Sequence, residues 1–95
     1  MAVDIPGHTV SLDGKPLKLT PKEFELLAIL VRNADRVVTH RQILTAVWGP
    51  AHAEDLQYLR VFIGQLRQKL KPTPASPELI LTEPGVGYRL ATEVA

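Results

Sequence analysis

The sequence predicts a single α+β domain made of an N-terminal antiparallel sheet, three helices and a C-terminal β-hairpin. Three observations support this fold class. Apolar and polar residues alternate around turn signals in the first twenty residues, and apolar residues recur at helical spacing in three later segments. A glycine-rich turn then separates two short extended runs near the C-terminus. A chain of 95 residues is long enough for one hydrophobic core and too short for two.

The composition argues against several classes of protein. Hydrophobic residues make up 45% of the chain and charged residues 22%, as in an ordinary soluble globular domain. The lack of cysteine excludes a disulfide scaffold, a thiolate metal site and a cysteine nucleophile. The longest apolar run, Leu26 to Val31, is too short to cross a bilayer, and the N-terminus lacks a secretory signal pattern. We therefore expect a cytoplasmic protein without membrane contact.

The first twenty residues predict short strands joined by tight turns. Val10 and Leu12 alternate with polar residues, and the stretch 17–19 alternates in the same way on the return. Between them, Asp13-Gly14 is a favoured two-residue hairpin turn. A further short strand is predicted upstream, before the Pro6-Gly7 turn.

The first helix is predicted to begin after Thr20. Thr20 can cap the helix, Pro21 suits its first position, and Glu23 completes a capping box. One apolar stripe follows at helical spacing, formed by Phe24, Leu27, Ala28 and Val31. The helix should end near Asn33, before a short extended stretch at 37–38.

The second helix repeats the capping box with Thr39 and Gln42. Its apolar side consists of Ile43, Leu44, Val47 and Trp48. Gly49-Pro50 should end it, because proline cannot continue a helix. A loop is expected over 51–55, with Glu54 and Asp55 placed to cap the next helix.

The third helix is predicted over Leu56 to Lys71. Its apolar residues lie within roughly 100° of arc and are Leu59, Phe62, Ile63, Leu66 and Leu70. Prolines 72, 74 and 77 stiffen the linker that follows. The predicted terminal hairpin pairs Leu79 to Thr82 with Tyr88 to Leu90.

The opposite side of the third helix is polar and basic. Stepping 100° per residue places Gln57, Val61, Gly64 and Gln68 at its centre. Arg60, Arg67 and Lys71 lie along one flank and Tyr58 and Gln65 along the other. The segment from Leu56 to Lys71 carries four basic residues and no acid, whereas the net charge of the whole chain is +1. Such a face fits an anion, and an ordinary solvated helix side is an equal alternative.

These residue types suit duplex DNA. Basic and hydroxyl side chains can reach phosphates, glutamines can pair with adenine edges, and valine can contact a thymine methyl. Gly64 is unusual, because glycine inside a helix costs about 0.5–1 kcal/mol relative to alanine. Either a nucleic-acid backbone approaches closely there, or a neighbouring protein segment packs against it.

Two helices separated by a short loop and followed by a hairpin are typical of a winged helix-turn-helix. The segments LTPKEFELLAIL, VVTHRQILTAVWGP, YLRVFIGQLRQKL and TEPGVGYRL resemble, in order and spacing, the winged-helix effector domain of OmpR/PhoB-type response regulators. The resemblance implies a four-stranded N-terminal sheet, a three-helix core and a hairpin wing. It also implies sequence-specific binding to double-stranded promoter DNA. Within the family, the motifs are most similar to the potassium-sensing branch, which implies control of potassium-transport genes.

The resemblance also implies partners. A receiver domain phosphorylated by a sensor kinase belongs to such regulators, and no receiver is present in residues 1–95, which form the effector domain alone. We expect a monomer in isolation and a head-to-tail tandem dimer on direct repeats of DNA. The loop before the third helix is implied to contact RNA polymerase through Pro50, Ala51, His52, Ala53 and Glu54.

The DNA-contacting positions of the family map onto His40, Trp48, Gln57, Tyr58, Phe62, Gly64, Gln65, Arg67, Thr82 and Pro84. Phe62 is assigned mainly to the core. Chemistry and position add Arg60, Val61, Gln68, Lys69, Lys71 and Arg89 as candidate DNA contacts. Several family arginines are replaced here, and Pro84 cannot reproduce an arginine in a minor groove. We therefore expect this domain to make fewer contacts to DNA phosphates and grooves than a highly basic relative makes.

Two other classes of function agree less well with the sequence. An enzyme is disfavoured, because the three histidines lack metal-ligand spacing, no phosphate-binding glycine loop precedes a helix, and neither serine lies beside a base. No cofactor is therefore expected. A winged helix that binds only protein remains the alternative, and the basic third helix argues modestly against it.

Overall fold

The computed structural model describes residues 2–12, 14–70 and 78–91. Within these ranges the chain forms six strands and three α-helices. Their bounds are β1 Ala2–Asp4, β2 Thr9–Leu12, β3 Lys15–Leu17, α1 Pro21–Arg32, β4 Val38–Thr39, α2 His40–Trp48, α3 Leu56–Leu70, β5 Ile80–Glu83 and β6 Gly87–Leu90. Lys71 and the predicted proline linker lie outside the described residues.

The N-terminal sheet is antiparallel in the order β1-β2-β3. Leu12 pairs with Lys15, and Gly14 adopts the positive φ of +81° that the predicted turn needs, while Asp13, the other residue of that turn, lies outside the described residues. The family resemblance implies a fourth strand, but three strands are present in the described part of this segment. Residues 5–8 form a turn instead, closed by the Gly7 N–H that donates to the Asp4 carboxylate at 3.1 Å.

Both predicted capping boxes are present. In α1, the Thr20 N–H donates to Glu23 Oε1 at 2.9 Å, and the Glu23 N–H donates to Thr20 Oγ1 at 3.3 Å. Thr39 and Gln42 make the equivalent pair at the start of α2, at 2.9 and 3.1 Å. The two helices therefore begin where the i, i+3 spacing of the sequence predicts.

The loop after α2 differs from its prediction. Residues Pro50–His52 form a short 3-10 turn. Oδ2 of Asp55, one of the two residues expected to cap α3, lies 2.8 Å from Nδ1 of His52. Asp55 reaches α3 through its backbone, whose carbonyl oxygen accepts the Leu59 N–H at 3.2 Å.

A second sheet joins the start of α2 to the hairpin. Its order is β4-β6-β5, so β6 is the central strand. Gly87 pairs with both Thr39 and Glu83, and a Cβ atom built on it would collide with the backbone of Val38 and Thr39. β5 lies one residue later than predicted, and β6 begins one residue earlier than predicted and ends at Leu90 as predicted. Only glycine permits this close approach of β6 to β4.

The core lies between the three helices and the second sheet. From α3, Leu59, Ile63, Leu66 and Leu70 are buried, and Phe62 is half-buried at its edge. The other elements contribute Val10, Phe24, Leu26, Leu27, Ala28, Leu30, Val38, Ile43, Leu44, Val47, Ile80, Tyr88 and Leu90. Among the helices described, none has the length and apolar character needed to span a bilayer.

Candidate nucleic-acid interface

The polar side of α3 is open to solvent. Its exposed residues are Gln57, Tyr58, Arg60, Val61, Gly64, Gln65 and Gln68. Val61 is 48% exposed although it is aliphatic, and Tyr58 is 46% exposed. The prediction that the leucine stripe points inward and the glutamine side outward is confirmed. We call this exposed set the α3 face.

Gly64 lies in the middle of the α3 face with open space around it. A Cβ atom built there meets no atom within 4 Å in the described part of the chain. Close packing against a neighbouring segment of the same protein therefore does not explain this glycine. The surface is left free for another molecule to approach the helix backbone.

Three aromatic rings join α2 to the first turns of α3. Trp48 packs edge-on against Tyr58 and Phe62 at centroid distances of 5.2 and 5.0 Å, and Tyr58 packs against Phe62 at 5.2 Å. Such edge-to-face pairs hold the rings in defined positions. Tyr58 and the half-buried Trp48 are thus fixed at the margin of the α3 face, next to the loop that carries His52.

Arg67 contacts the hairpin. Its Nε and Nη2 donate to the Ile80 carbonyl oxygen at 3.1 and 2.9 Å, and Nη2 also donates to Thr82 Oγ1 at 2.7 Å. Nε lies 3.5 Å from a carboxylate oxygen of Glu78, and the guanidinium carbon lies 5.6 Å from the centre of the Tyr88 ring. Sequence reasoning treated Arg67 as a phosphate contact and did not anticipate these partners.

Lys69 contacts α1. Its Nζ lies 2.5 Å from Glu23 Oε1, the oxygen that also accepts the Thr20 N–H. Glu23 is 2% exposed and is the one buried charged residue in the described ranges. Burial raises the pKa of Glu23, but the hydrogen bond from Lys69 and that from the Thr20 backbone outweigh it and lower the pKa below its ordinary value. Lys69 thus neutralises a buried carboxylate in the free domain.

The remaining candidates on the hairpin and α2 also have protein partners. Arg89 Nε lies 3.1 Å from Glu83 Oε1, Thr82 accepts from Arg67, and the His40 ring packs edge-on against Tyr88 at 5.5 Å. Arg60 is exposed and takes part in none of these pairs. Among the described residues, the lysines and arginines predicted to contact DNA therefore divide into one that is open to solvent, Arg60, and three that have protein partners, Arg67, Lys69 and Arg89.

The loop with the predicted polymerase contacts lies beside the α3 face. Pro50, Ala51, His52 and Glu54 are exposed, and Ala53 is partly exposed. An open groove lined by Trp48, His52, Asp55, Gln57 and Tyr58 connects this loop to the start of α3. The fold therefore presents the loop and the helix on adjoining surfaces.

The chain resembles known regulators over most of its length. Residues 14–90 match the protein family described as "Transcriptional regulatory protein, C terminal". The KDP operon transcriptional regulatory protein KdpE of Escherichia coli K12 is 46% identical over 89 residues, and the transcriptional regulatory protein KdpE of Mycobacterium tuberculosis H37Rv is 46% identical over 87. These matches cover 94% and 92% of this chain but 40% and 38% of the relatives, so the chain spans about two fifths of their length.

Solved structures give the same assignment. The DNA-binding domain of Klebsiella pneumoniae RstA, in complex with the RstA box, superposes with a TM-score of 0.81 at 26% identity and covers 94% of this chain and 88% of that one. DrrB of Thermotoga maritima, an OmpR/PhoB homologue, gives 0.79 at 36% identity over 94% of this chain and 40% of that one. The chain therefore belongs to the OmpR/PhoB-type family of C-terminal DNA-binding effector domains of response regulators.

Proposed function

We propose that this domain binds promoter DNA by placing the α3 face in the major groove. The observation that carries the proposal is the uncovered polar side of α3 with Gly64 at its centre. A helix that fits the major groove needs a side free of other protein and able to approach bases closely. Both properties are present on this helix. The glycine that provides the second property costs helix stability, which a small domain can ill spare without a function for it.

The proposed contacts differ in kind along α3. Gln57, Gln65 and Gln68 would pair with base edges, and Val61 would contact a thymine methyl. Arg60 and Tyr58 would contact phosphates from the margins of the α3 face, together with the Trp48 indole N–H and His40. Lys71 remains a candidate phosphate contact. For Arg67, Lys69, Thr82 and Arg89 we propose that the protein contacts described above come first and that any DNA contact is secondary.

The parent protein is proposed to be a two-component response regulator. Its phosphorylated receiver domain would answer to a sensor kinase, and two effector domains would bind head to tail on direct repeats. The resemblance to the two KdpE proteins supports control of potassium-transport genes. The loop over Pro50 to Glu54 would contact RNA polymerase in the cytoplasm, where the promoter lies.

The experiment is a salt titration on duplexes selected from a random pool. A single half-site should lose affinity with a log–log slope near −0.9 per phosphate neutralised, with about four phosphates per domain. Arg60→Ala should lower the slope by about one phosphate on every sequence. Its matched control is Arg32→Ala, which removes an exposed arginine from the end of α1 and should leave the slope unchanged.

Gln65→Ala tests base reading separately. It should reduce the preference at one base pair by about 1–3 kcal/mol while leaving the affinity for unrelated duplex unchanged. Equal loss on every duplex for the Gln65 and Arg60 variants would contradict the division into base readers and phosphate contacts. Failure of the wild-type domain to show saturable binding to any selected duplex would favour a module that binds only protein.

A further inference from the structure

We infer that Arg67 is a positioning residue that fixes the wing, residues 80–90, relative to α3. The inference rests on the proposed function, because a fixed angle matters only if helix and wing meet one duplex together. It assigns Arg67 a role different from the phosphate contact that its family position implies. The role follows from the number and the location of its partners within the chain.

The contacts of Arg67 reach both strands of the wing. Ile80 and Thr82 belong to β5, and Tyr88, which lies under the guanidinium, belongs to β6. Thr82 and Tyr88 are directly paired across the two strands. One side chain from α3 therefore contacts both strands of the hairpin, at two residues that are paired with each other.

The hydrogen bonds from Arg67 satisfy a backbone carbonyl group at the edge of the sheet. β5 lies at the edge of the order β4-β6-β5, so its outward backbone groups have no neighbouring strand among the described residues. The Ile80 carbonyl oxygen accepts two N–H groups from Arg67, which takes the place of a partner strand there. Removing the guanidinium would leave this carbonyl oxygen without either hydrogen bond. An unsatisfied acceptor at a part-buried position lowers stability.

The geometry depends on the shape of arginine as well as on its charge. Nε and Nη2 are adjacent corners of a rigid planar fork, and they share the Ile80 oxygen while Nη2 also reaches Thr82. A lysine side chain has no Nε–H and ends one bond short of the Nη2 position, so it cannot reproduce all three hydrogen bonds. Moving the guanidinium onto a phosphate would break these bonds. The positioning role and the phosphate role therefore predict different results for Arg67→Lys.

The first test uses the free domain and needs no DNA. Amide hydrogen exchange of the β5 and β6 amides should be accelerated about tenfold or more in Arg67→Lys, with α1 amides unchanged. Thr82→Val, which removes the hydroxyl acceptor and keeps the side-chain shape, should accelerate the same amides to a smaller extent. The matched control is Arg60→Lys on the same helix, where exchange in the wing should stay as in the wild type. Unchanged wing exchange in Arg67→Lys would overturn the inference.

The second test measures binding to the selected half-site at several salt concentrations. Arg67→Lys should lose about as much affinity as Arg67→Ala, and both variants should retain the wild-type salt slope because a positioning residue neutralises no phosphate. If Arg67→Lys instead binds like the wild type, and Arg67→Ala alone loses about one phosphate from the slope, Arg67 is a phosphate contact and the inference is wrong. The exchange experiment reports on the wing whether or not the domain binds DNA. Failure of the positioning role of Arg67 can therefore be distinguished from failure of the proposed DNA binding.

Discussion

At the scale of single residues, the buried pair of Glu23 and Lys69 links the start of α1 to the end of α3. Glu23 has two roles, since its carboxylate completes the capping box with Thr20 and accepts the Lys69 ammonium. A buried carboxylate is tolerated only when its charge and its hydrogen bonds are satisfied. The pair therefore anchors the helix that carries the α3 face.

We expect Glu23→Gln to lower the free energy of unfolding by about 1–3 kcal/mol at neutral pH, because it leaves Lys69 without its counter-charge. The folded-state pKa of Glu23 is lowered, so its contribution is present above the ordinary glutamate pKa of about 4.3 and is lost as pH falls through the lowered value. Urea unfolding at pH 7 and at pH 3 should therefore show a difference in the free energy of unfolding between variant and wild type that is smaller at pH 3. A gap of equal size at both pH values would contradict the ionic role.

Gly64 makes a second prediction for a single residue. Gly64→Ala should raise the free energy of unfolding of the free domain by about 0.5–1 kcal/mol, since alanine favours the helix and its Cβ meets open space. The same methyl should weaken DNA binding, which is measured on the selected half-site. Thr45→Ala, at an exposed position of α2, is the control that improves helix propensity away from the α3 face. A Gly64→Ala domain that is more stable and binds DNA as tightly as the wild type would show that nothing approaches this glycine closely.

At the scale of secondary-structure elements, the close pairing of β4 and β6 joins the helix-turn-helix to the wing. Thr39 pairs with Gly87 and also caps α2, and the His40 N–H donates to the Val86 carbonyl oxygen at 3.1 Å. Two residues of β4 therefore connect the first helix of the motif to the hairpin. The connection depends on the absence of a side chain at position 87.

Gly87→Ala should destabilise the domain by about 2–4 kcal/mol, because its methyl would overlap the Val38 and Thr39 backbone and push β4 away. Gly85→Ala is the matched control in the same hairpin. There the φ of +74° costs an L-residue about 1–2 kcal/mol, but no described atom lies in the way. Thermal unfolding should place Gly87→Ala clearly below Gly85→Ala. Equal losses would mean that backbone conformation, and not the close approach, explains both glycines.

The features of these elements that could be predicted from the sequence are those caused by residues close together in the chain. The capping boxes at Thr20 and Thr39 and the inward stripe of α3 follow from residues three or four apart, and they were predicted correctly. Arg67 bonds to residues 13 and 15 positions away, and Lys69 to a residue 46 positions away. No spacing rule reports such contacts, because they depend on how the elements pack. The exposed α3 face could therefore be predicted, whereas the cations that the fold engages could not.

At the scale of the whole molecule, the surface proposed to face DNA has an uneven distribution of charge. Arg60 projects from α3, while Arg67 and Arg89 are engaged by the wing. The wing tip bears the exposed Pro84 and a Val86 that is 49% exposed, and it carries no cation. A narrow minor groove attracts inserted arginines through its strong negative potential, and this tip has none to insert.

We therefore expect the wild-type domain to be insensitive to minor-groove width beneath the wing. Placing an A-tract there should change affinity by less than about twofold. Pro84→Arg should bind the A-tract duplex more tightly than a G·C-rich one of equal length, with a salt slope increased by about one phosphate. Pro84→Gln is the uncharged control. If the wild type already prefers the A-tract strongly, the wing reads the groove by other means.

The place of β6 at the centre of its sheet sets an order of events while the chain is synthesised on the ribosome. β6 spans Gly87–Leu90 and is flanked by β4 and β5, so neither neighbour has a strand partner in that sheet until residues 87–90 have emerged. All three helices are translated before that point, with Val38 still lacking the Tyr88 backbone that pairs with it. Nascent chains whose residues 87–90 are still inside the ribosome should therefore remain sensitive to protease, and protection should arise abruptly once those residues have emerged.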